Sequence, residues 1–274
     1  MVAVRFTKFN GAGNDFILID NRRLDIKLTP AHAIRLCNRQ QGIGADGILV
    51  LVPCTSGKAD VAWQFWQCDG DTANFCGNGA RCFARFVHSL LGHTNPITFE
   101  TGAGVVSAAL AANGDMAIRL PPPTNLTLHE KLQLAGGPHV VHSITIGVPH
   151  AVLFVANVAA IDVPRQGSDV RHHPRFGPHG TNVNFVHVVG LNHLWARSFE
   201  RGVEGETLAC GTGVVAAALV AAAVHGFTSP VTVDVQSGAA LQIHFDQPSS
   251  NDLEFTNVVL IGPAEATFSG TVEL

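Results

Sequence analysis

The chain has 274 residues, of which 46% are hydrophobic and only 14% charged, with a formal net charge of −4. A chain this apolar and this long can bury one or two full cores, which excludes general intrinsic disorder. The small acidic excess excludes binding driven by counterion release from nucleic acid or by an anionic membrane surface.

The longest apolar run, 214–224, falls far short of the roughly 20 residues that span a bilayer. Residues 1–5 lead straight into polar sequence without the apolar stretch of a signal peptide. The six cysteines (Cys37, Cys54, Cys68, Cys76, Cys82 and Cys210) contain no Cys-x-x-Cys pair and are too sparse for a disulfide scaffold. A cytoplasmic protein with reduced thiols is expected.

In chain order, an alternating strand over 2–6 precedes a turn at 11–15 and a strand over 16–19. Thr29 and Pro30 form an N-cap pair for a helix running to about residue 39, with Ile34 and Cys37 on one face and Gly42 ending it. Strands follow over 48–52 and 61–66. A helix begins near Asn78, with Phe83, Phe86, Val87 and Leu90 as its apolar face and Gly92 as its terminator. Strands over 97–101 and 104–110 come next. The triple proline 121–123 reads as an extended connector and marks a domain boundary.

The second half repeats this pattern. Strands are predicted over 143–146, 151–155, 184–189 and 194–199. A helix over about 212–224, apolar all round and therefore buried on every side, ends at Gly226. Strands over 231–235 and 241–245, a polar turn over 247–252, and strands over 253–261 and 266–272 complete the chain. Each half is thus many strands with one helix that follows Cys-Gly-x-Gly. Cys76-Gly77-Asn78-Gly79 and Cys210-Gly211-Thr212-Gly213 lie about half the chain apart, which suggests internal duplication with a site between two similar domains.

The paired cysteines carry the chemistry. Each sits directly before a helix, where unsatisfied N–H groups and the helix dipole stabilise a thiolate. The flanking glycines let the backbone approach a bound carboxylate. Two such groups facing each other form an acid–base pair, one thiolate removing a proton and one thiol returning it from the opposite side, which inverts a stereocentre. One such cysteine is usually a buried structural thiol; the matched pair shifts the balance to function.

The motifs Gly11-Ala-Gly-Asn-Asp-Phe16, Asp69-Gly70, Cys76-Gly-Asn-Gly-Ala-Arg-Cys82, Gly147-Val-Pro-His150, Asn182-Val-Asn-Phe185, Glu200-Arg-Gly202 and Glu206-Thr-Leu-Ala-Cys-Gly-Thr-Gly213 come in one order over nearly the whole chain. As a set, they resemble diaminopimelate epimerase. The resemblance implies a mixed α/β (α+β) fold of two pseudo-symmetric domains, each a mixed strand barrel around a central helix. The boundaries implied are 1–119 with a returning strand 266–274, and 120–265. It further implies a homodimeric isomerase, independent of any cofactor or metal, that converts the LL to the meso isomer of diaminopimelate in lysine and peptidoglycan precursor synthesis. Cys76 and Cys210 match its two catalytic bases, and His150 and Glu200 match residues that flank and tune them. Asn14, Gly77, Asn78, Asn182, Arg201, Gly211 and Thr212 match substrate-binding positions, with Glu200 beside them. The planar guanidinium of Arg201 suits a distal carboxylate.

Four departures concern substrate recognition more than the cysteines. Gln67 stands where the family usually has a substrate-contacting Asn, Val148 where an Asn often precedes Pro-His, and Gly47 where a Gln is common; Glu204 is an extra residue. A related racemase of another amino acid using the same thiol pair is the first alternative. A Cys–His hydrolase would leave the repeat unexplained, and a non-catalytic ligand-binding module would tolerate loss of Cys210. The run Gly42-Ile-Gly-Ala-Asp-Gly47 matches a dinucleotide fingerprint, but a helix precedes it and a strand follows, so a tight turn is expected. Nine of the 14 histidines lie between His129 and His193; apart from His150 they are expected at the surface, not on a metal.

Overall fold

A computed structural model describes residues 2–92, 96–248 and 253–274. The chain divides into two compact units, Met1–Ile118 with Gly262–Leu274, and Arg119–Ile261. Most of the predicted turn over 247–252 lies outside the described residues.

In the first unit, β1 (Ala3–Gly11) pairs antiparallel with β2 (Asn14–Asp20) and with the C-terminal strand Glu265–Glu273. The chain then crosses through α1 (Pro30–Cys37) to β3 (Gly47–Val52), which lies parallel to β2. Parallel neighbours need such a crossover, and strands covered on both faces read as continuous apolar runs. Accordingly, β3 is buried at every position. Ile17, Ile19, Ile48 and Val50 pack with Ala33, Leu36 and Cys37 of α1.

The Thr29 side chain caps α1 by accepting from the His32 N–H. The helix stops at Cys37, earlier than predicted, because Asn38 is extended. The chain then folds back, and the N–H groups of Gly42, Ile43, Gly44 and Ala45 donate to the carbonyls of Asn38, Leu36, Leu36 and Cys37. These bonds satisfy the last-turn carbonyls that a helix end leaves open. A Cβ on Gly42 would lie 2.1 Å from the Arg35 carbonyl oxygen, so only glycine permits this approach. The tight-turn reading of 42–47 holds. Ile34, which shares the i, i+3 spacing with the buried Cys37, is 50% exposed.

A second crossover follows. β4 (Val61–Gln67) is antiparallel to β3 and parallel to β5 (Ile97–Thr101), and α2 (Gly77–Leu91) connects β4 with β5. β6 (Gly104–Leu110) pairs antiparallel with β5, and the unpredicted β7 spans Met116–Arg119. α2 packs against β1, β2, β3, β6 and the C-terminal strand, so the strands enclose it. Phe83 meets Trp63 and Phe99 at ring-centroid distances of 5.6 and 4.9 Å. Phe86 and Val87 are buried as predicted, whereas Leu90, in the last turn, is exposed.

The second unit repeats this order of pairing. β8 (Thr124–Leu134) and β9 (Gly137–Ile146) are antiparallel, as are β9 and β10 (Val148–Phe154). β10 runs parallel to β11 (Asn182–Gly190) after a crossover through α3 (Val163–Arg171). β12 (His193–Glu200) is antiparallel to β11 and to β13 (Gly205–Thr207), and parallel to β14 (Val231–Val235) after a crossover through α4 (Gly211–His225). β15 (Ala240–Asp246) and β16 (Thr256–Gly262) close the series as antiparallel strands. α4 packs against β9, β10, β11, β12, β14 and β15, and its side chains are buried through Ala222 apart from Thr212. All-round apolarity predicted this enclosure.

Both units are therefore mixed α/β, rich in strands, and built around one central helix. α1 is the helix predicted from Thr29, whereas α3 is an additional outer helix in the second half, where only the helix after Cys210 was expected. α3 escaped the sequence reading because it is short and weakly apolar. Its start signal is nonetheless present, with Asp162 capping the Arg165 N–H and a proline in the first turn. The surface assignment of the histidines also fails for His142. It is 4% exposed, with ring contacts to His129 and Phe154.

Candidate active site

Cys76 and Cys210 occupy equivalent local positions. Each is the extended N-cap of a 15-residue helix, and each carbonyl accepts the first helical hydrogen bond, from Ala80 at 2.8 Å and Val214 at 3.0 Å. Each therefore sits at the positive end of a helix dipole beside N–H groups available to an anion. The Cys76 sulfur accepts from the Gly79 N–H at 3.4 Å. Cys76 is half-buried, and Cys210 is 4% exposed.

In the first unit, Asn14, Gly77 and Asn78 gather at Cys76. The Cys76 Sγ donates to Asn14 Oδ1 at 3.6 Å, and Asn78 Nδ2 donates to the same oxygen at 3.4 Å. Asn14 Nδ2 donates to the Asp46 carboxylate. Asp46 in turn accepts from Arg39, which holds Asp15 by two hydrogen bonds of 3.0 and 2.8 Å. Burial raises the Asp15 pKa, but hydrogen bonds from Arg39 and Lys8 outweigh it and hold the carboxyl at about 2. On the other side, the fully buried Arg81 donates to Asn78 Oδ1 at 3.1 Å and to the carbonyls of Gly11 and Pro263. Cys82 and Cys37 are different in kind, because burial pushes both thiols up to about 12.

Gln67 lies at the end of β4, directly across the ladder from Gly47. Two of the departures are thus cross-strand partners. A Cβ at Gly47 would meet the Trp66 carbonyl oxygen at 2.7 Å and the Phe65 ring at 2.8 Å, so this backbone admits only glycine there. Val148 opens β10.

In the second unit, Thr212 stands between His150 and Cys210. Its Oγ1 is 3.0 Å from His150 Nε2 and 4.0 Å from the Cys210 sulfur. His150 is completely buried; desolvation, with the charge of Arg201, pushes its pKa down to about 3, so the ring is neutral. Asn184 Nδ2 faces His150 Nδ1 at 3.3 Å and donates to the Ala151 carbonyl at 3.1 Å, while Asn184 Oδ1 accepts from Ser198 Oγ at 2.8 Å. Asn182 Oδ1 accepts the Arg201 N–H at 2.8 Å, which fixes the backbone that carries the guanidinium. Glu200 Oε1 accepts from Thr207 Oγ1 at 2.5 Å. Gly211 begins α4. The extra residue Glu204 sits at φ 55° in the turn after β12, and its carboxylate binds Arg171 at 2.9 Å and the Gly202 N–H.

The sequence reading missed Asp46, Arg81, Asn184 and Ser198. Two lie inside the quoted motifs. Arg81 belongs to Cys-Gly-Asn-Gly-Ala-Arg-Cys, and Asn184 shares a strand face with Asn182 by the two-residue period. Asp46 lay in the turn dismissed as structural. Among the described residues, no helix is long and apolar enough to cross a membrane.

Comparison with known proteins points to one family. The sequence profile of the family described as diaminopimelate epimerase matches residues 6–123 and 142–265. The diaminopimelate epimerase of Azoarcus sp. is 40% identical over 99% of both chains. That of Chlorobaculum tepidum is 38% identical over 97% of this chain and 100% of its own. Among solved structures, a phenazine biosynthesis protein of the PhzF family from Bacillus anthracis superposes with a TM-score of 0.72 at 15% identity, covering 100% of both chains. A hydroxyproline epimerase from Agrobacterium vitis gives 0.72 at 14% identity, covering 98% of this chain and 92% of its own. At those identities, the structural matches speak for the fold.

Proposed function

This chain belongs to the diaminopimelate epimerase family, and from that membership we propose that it interconverts LL- and meso-diaminopimelate by a cofactor-independent two-thiol reaction. The observation that carries the reading is the matched pair of cysteine-capped helices, α2 and α4. One cysteine, as thiolate, takes the α-proton; the other, as thiol, returns a proton to the opposite face of the same carbon. Negative charge developing toward the α-carboxylate is stabilised by the N–H groups at the helix starts, including Gly77, Asn78, Gly211 and Thr212. Arg201, with its backbone held by Asn182, binds the distal carboxylate. Glu200 and Gln67 complete the substrate contacts. Thr212 links His150 to Cys210. The protein works as a cytoplasmic homodimer on a free amino acid that feeds lysine and peptidoglycan precursor synthesis.

A racemase of another amino acid is the second reading, favoured by the altered pair Gln67 and Gly47. Incubation of reduced protein with LL-diaminopimelate in D₂O, followed by chiral separation and mass analysis, decides between them. The meso isomer carrying one deuterium at the inverted carbon is the expected product. No inversion by folded, reduced protein would refute the substrate assignment, and deuterium exchange into another amino acid would establish the second reading.

A further inference from the structure

Arg201 stands in the turn that joins β12 to β13, and this turn is held from both sides. Asn182 Oδ1 accepts the Arg201 N–H at 2.8 Å, and the Glu200 carbonyl accepts the Glu204 N–H at 2.8 Å. Across the turn, Glu204 Oε1 accepts from three donors: the Gly202 N–H at 2.9 Å, Arg171 Nη2 at 2.9 Å and Arg171 Nε at 3.1 Å. The other carboxylate oxygen lies 3.5 Å from His172 Nε2.

Arg171 reaches this turn from the last residue of α3, with its side chain only 13% exposed. Its remaining nitrogen, Nη1, donates to the His179 carbonyl at 3.0 Å, in the segment that leads into Asn182. Gly180 makes room for that arm, because a Cβ there would lie 1.8 Å from Nη1. The contacts close on themselves. Arg171 grips the approach to Asn182 with one side of its guanidinium and Glu204 with the other, and the bond from Arg201 to Asn182 joins the two.

Two features separate this arrangement from an ordinary surface ion pair. Glu204 sits at φ 55°, a backbone conformation that glycine adopts without strain and a side chain disfavours. The turn thus carries a carboxylate where its backbone alone would suit glycine. A pair whose acid is 43% exposed also adds little to folding stability, so its effect lies in where it holds the turn.

We propose that Glu204 and Arg171 are positioning residues for the far end of the substrate, fixing the Arg201-bearing turn so that the guanidinium meets the distal carboxylate already aligned. The proposal rests on the assignment of Arg201 to that carboxylate given above. Two parallel N–H bonds to a carboxylate demand a set orientation, and a turn fixed beforehand leaves less freedom to lose on binding. Both residues act through the backbone of Arg201 and Asn182.

The test compares Glu204→Gly, which suits φ 55° and removes the carboxylate, with Glu204→Gln, which keeps an Oε1 acceptor for the same three donors. Steady-state turnover of LL-diaminopimelate, urea denaturation and amide hydrogen exchange over 199–208 are measured on both. Glu204→Gly should raise KM by about tenfold or more with kcat within about twofold, the pattern of lost binding common to ground and transition states. Its urea midpoint should match the parent, and exchange at Gly202 should speed up about tenfold as that N–H loses its acceptor. Glu204→Gln should keep KM within about threefold of the parent. A parent-like KM in Glu204→Gly, or a fall in kcat and stability in place of the KM change, would overturn the proposal. A Gly202 amide indifferent to the substitution would overturn it as well. Unmodified, folded protein that leaves LL-diaminopimelate unchanged refutes the substrate reading alone, and the exchange rates then decide whether Glu204 holds the turn.

Discussion

Gly79 and Gly213 occupy the same place in the two cysteine motifs, yet their surroundings differ enough for one substitution to separate them. A methyl at Gly213 would lie 2.2 Å from Asn184 Oδ1 and 3.0 Å from the Cys210 sulfur, with Asn184 fully buried. The amide would have to move by about 1 Å to reach an ordinary contact distance. That movement strains its bonds to Ser198, Ala151 and His150. Overpacking of this kind costs about 1–3 kcal/mol, and a buried polar group left unsatisfied costs about 1–3 kcal/mol more. Replacing glycine by alanine inside a helix returns about 1 kcal/mol. The net expectation for Gly213→Ala is a loss of about 1–5 kcal/mol together with loss of turnover, since the Cys210 chain is broken. At Gly79 the nearest atoms are Leu49 Cδ1, Phe16 Cζ and Cys76 Cβ at 3.3, 3.4 and 3.5 Å, so Gly79→Ala should stay within about 1 kcal/mol of the parent. Urea denaturation and an epimerase assay on both variants measure this. Equal stability of the two variants would refute the reasoning.

Acid should destabilise the fold through two buried histidines. Burial, with the Arg201 charge, puts His150 at about 3; burial, with His129 and His225 nearby, puts His142 at about 4. Below about 6.5 the unfolded chain binds protons that the native rings refuse, so this stability is present above 6.5 and drains away as the pH falls toward the native values. Between pH 7 and 5 each ring should remove about 2 kcal/mol, and denaturant curves at the two pH values would show a smaller loss if either ring were protonated in the native state. Arg81→Met removes a buried charge of similar volume, so stability should change by only about 1 kcal/mol while turnover falls by about tenfold or more; a large loss of stability with activity retained would refute a role for Arg81 in holding Asn78. Phe83→Ala opens a hole beside Trp63 and Phe99 and should cost about 3–5 kcal/mol in urea denaturation without changing the pH dependence of turnover.

The sequence alone determined the features that follow from local physics. The cap at Thr29, the starts of α2 and α4 at their cysteines and the burial of α4 on all sides follow from capping chemistry and apolar periodicity, which act over a few residues. The repeated Cys-Gly-x-Gly likewise pointed to the two sulfurs before any fold was known. The outer helix α3 and the strand β8 were not legible, because their residues are weakly apolar and only strand partners and crossover packing select their conformation. Ile34 and Leu90 fit an apolar period but lie where the helix surface leaves the core, a fact that depends on the strands around it. The direction of the hydrogen-bond chains belongs wholly to tertiary structure. Asp46 is 32 positions from Asn14, and Asn184 is 34 from His150, so no local pattern reveals that a carboxylate orients one amide and a carbonyl the other. Those contacts fix which way each amide is turned, because the hydrogen-bonding sense of a group takes effect only once folding has chosen its neighbour.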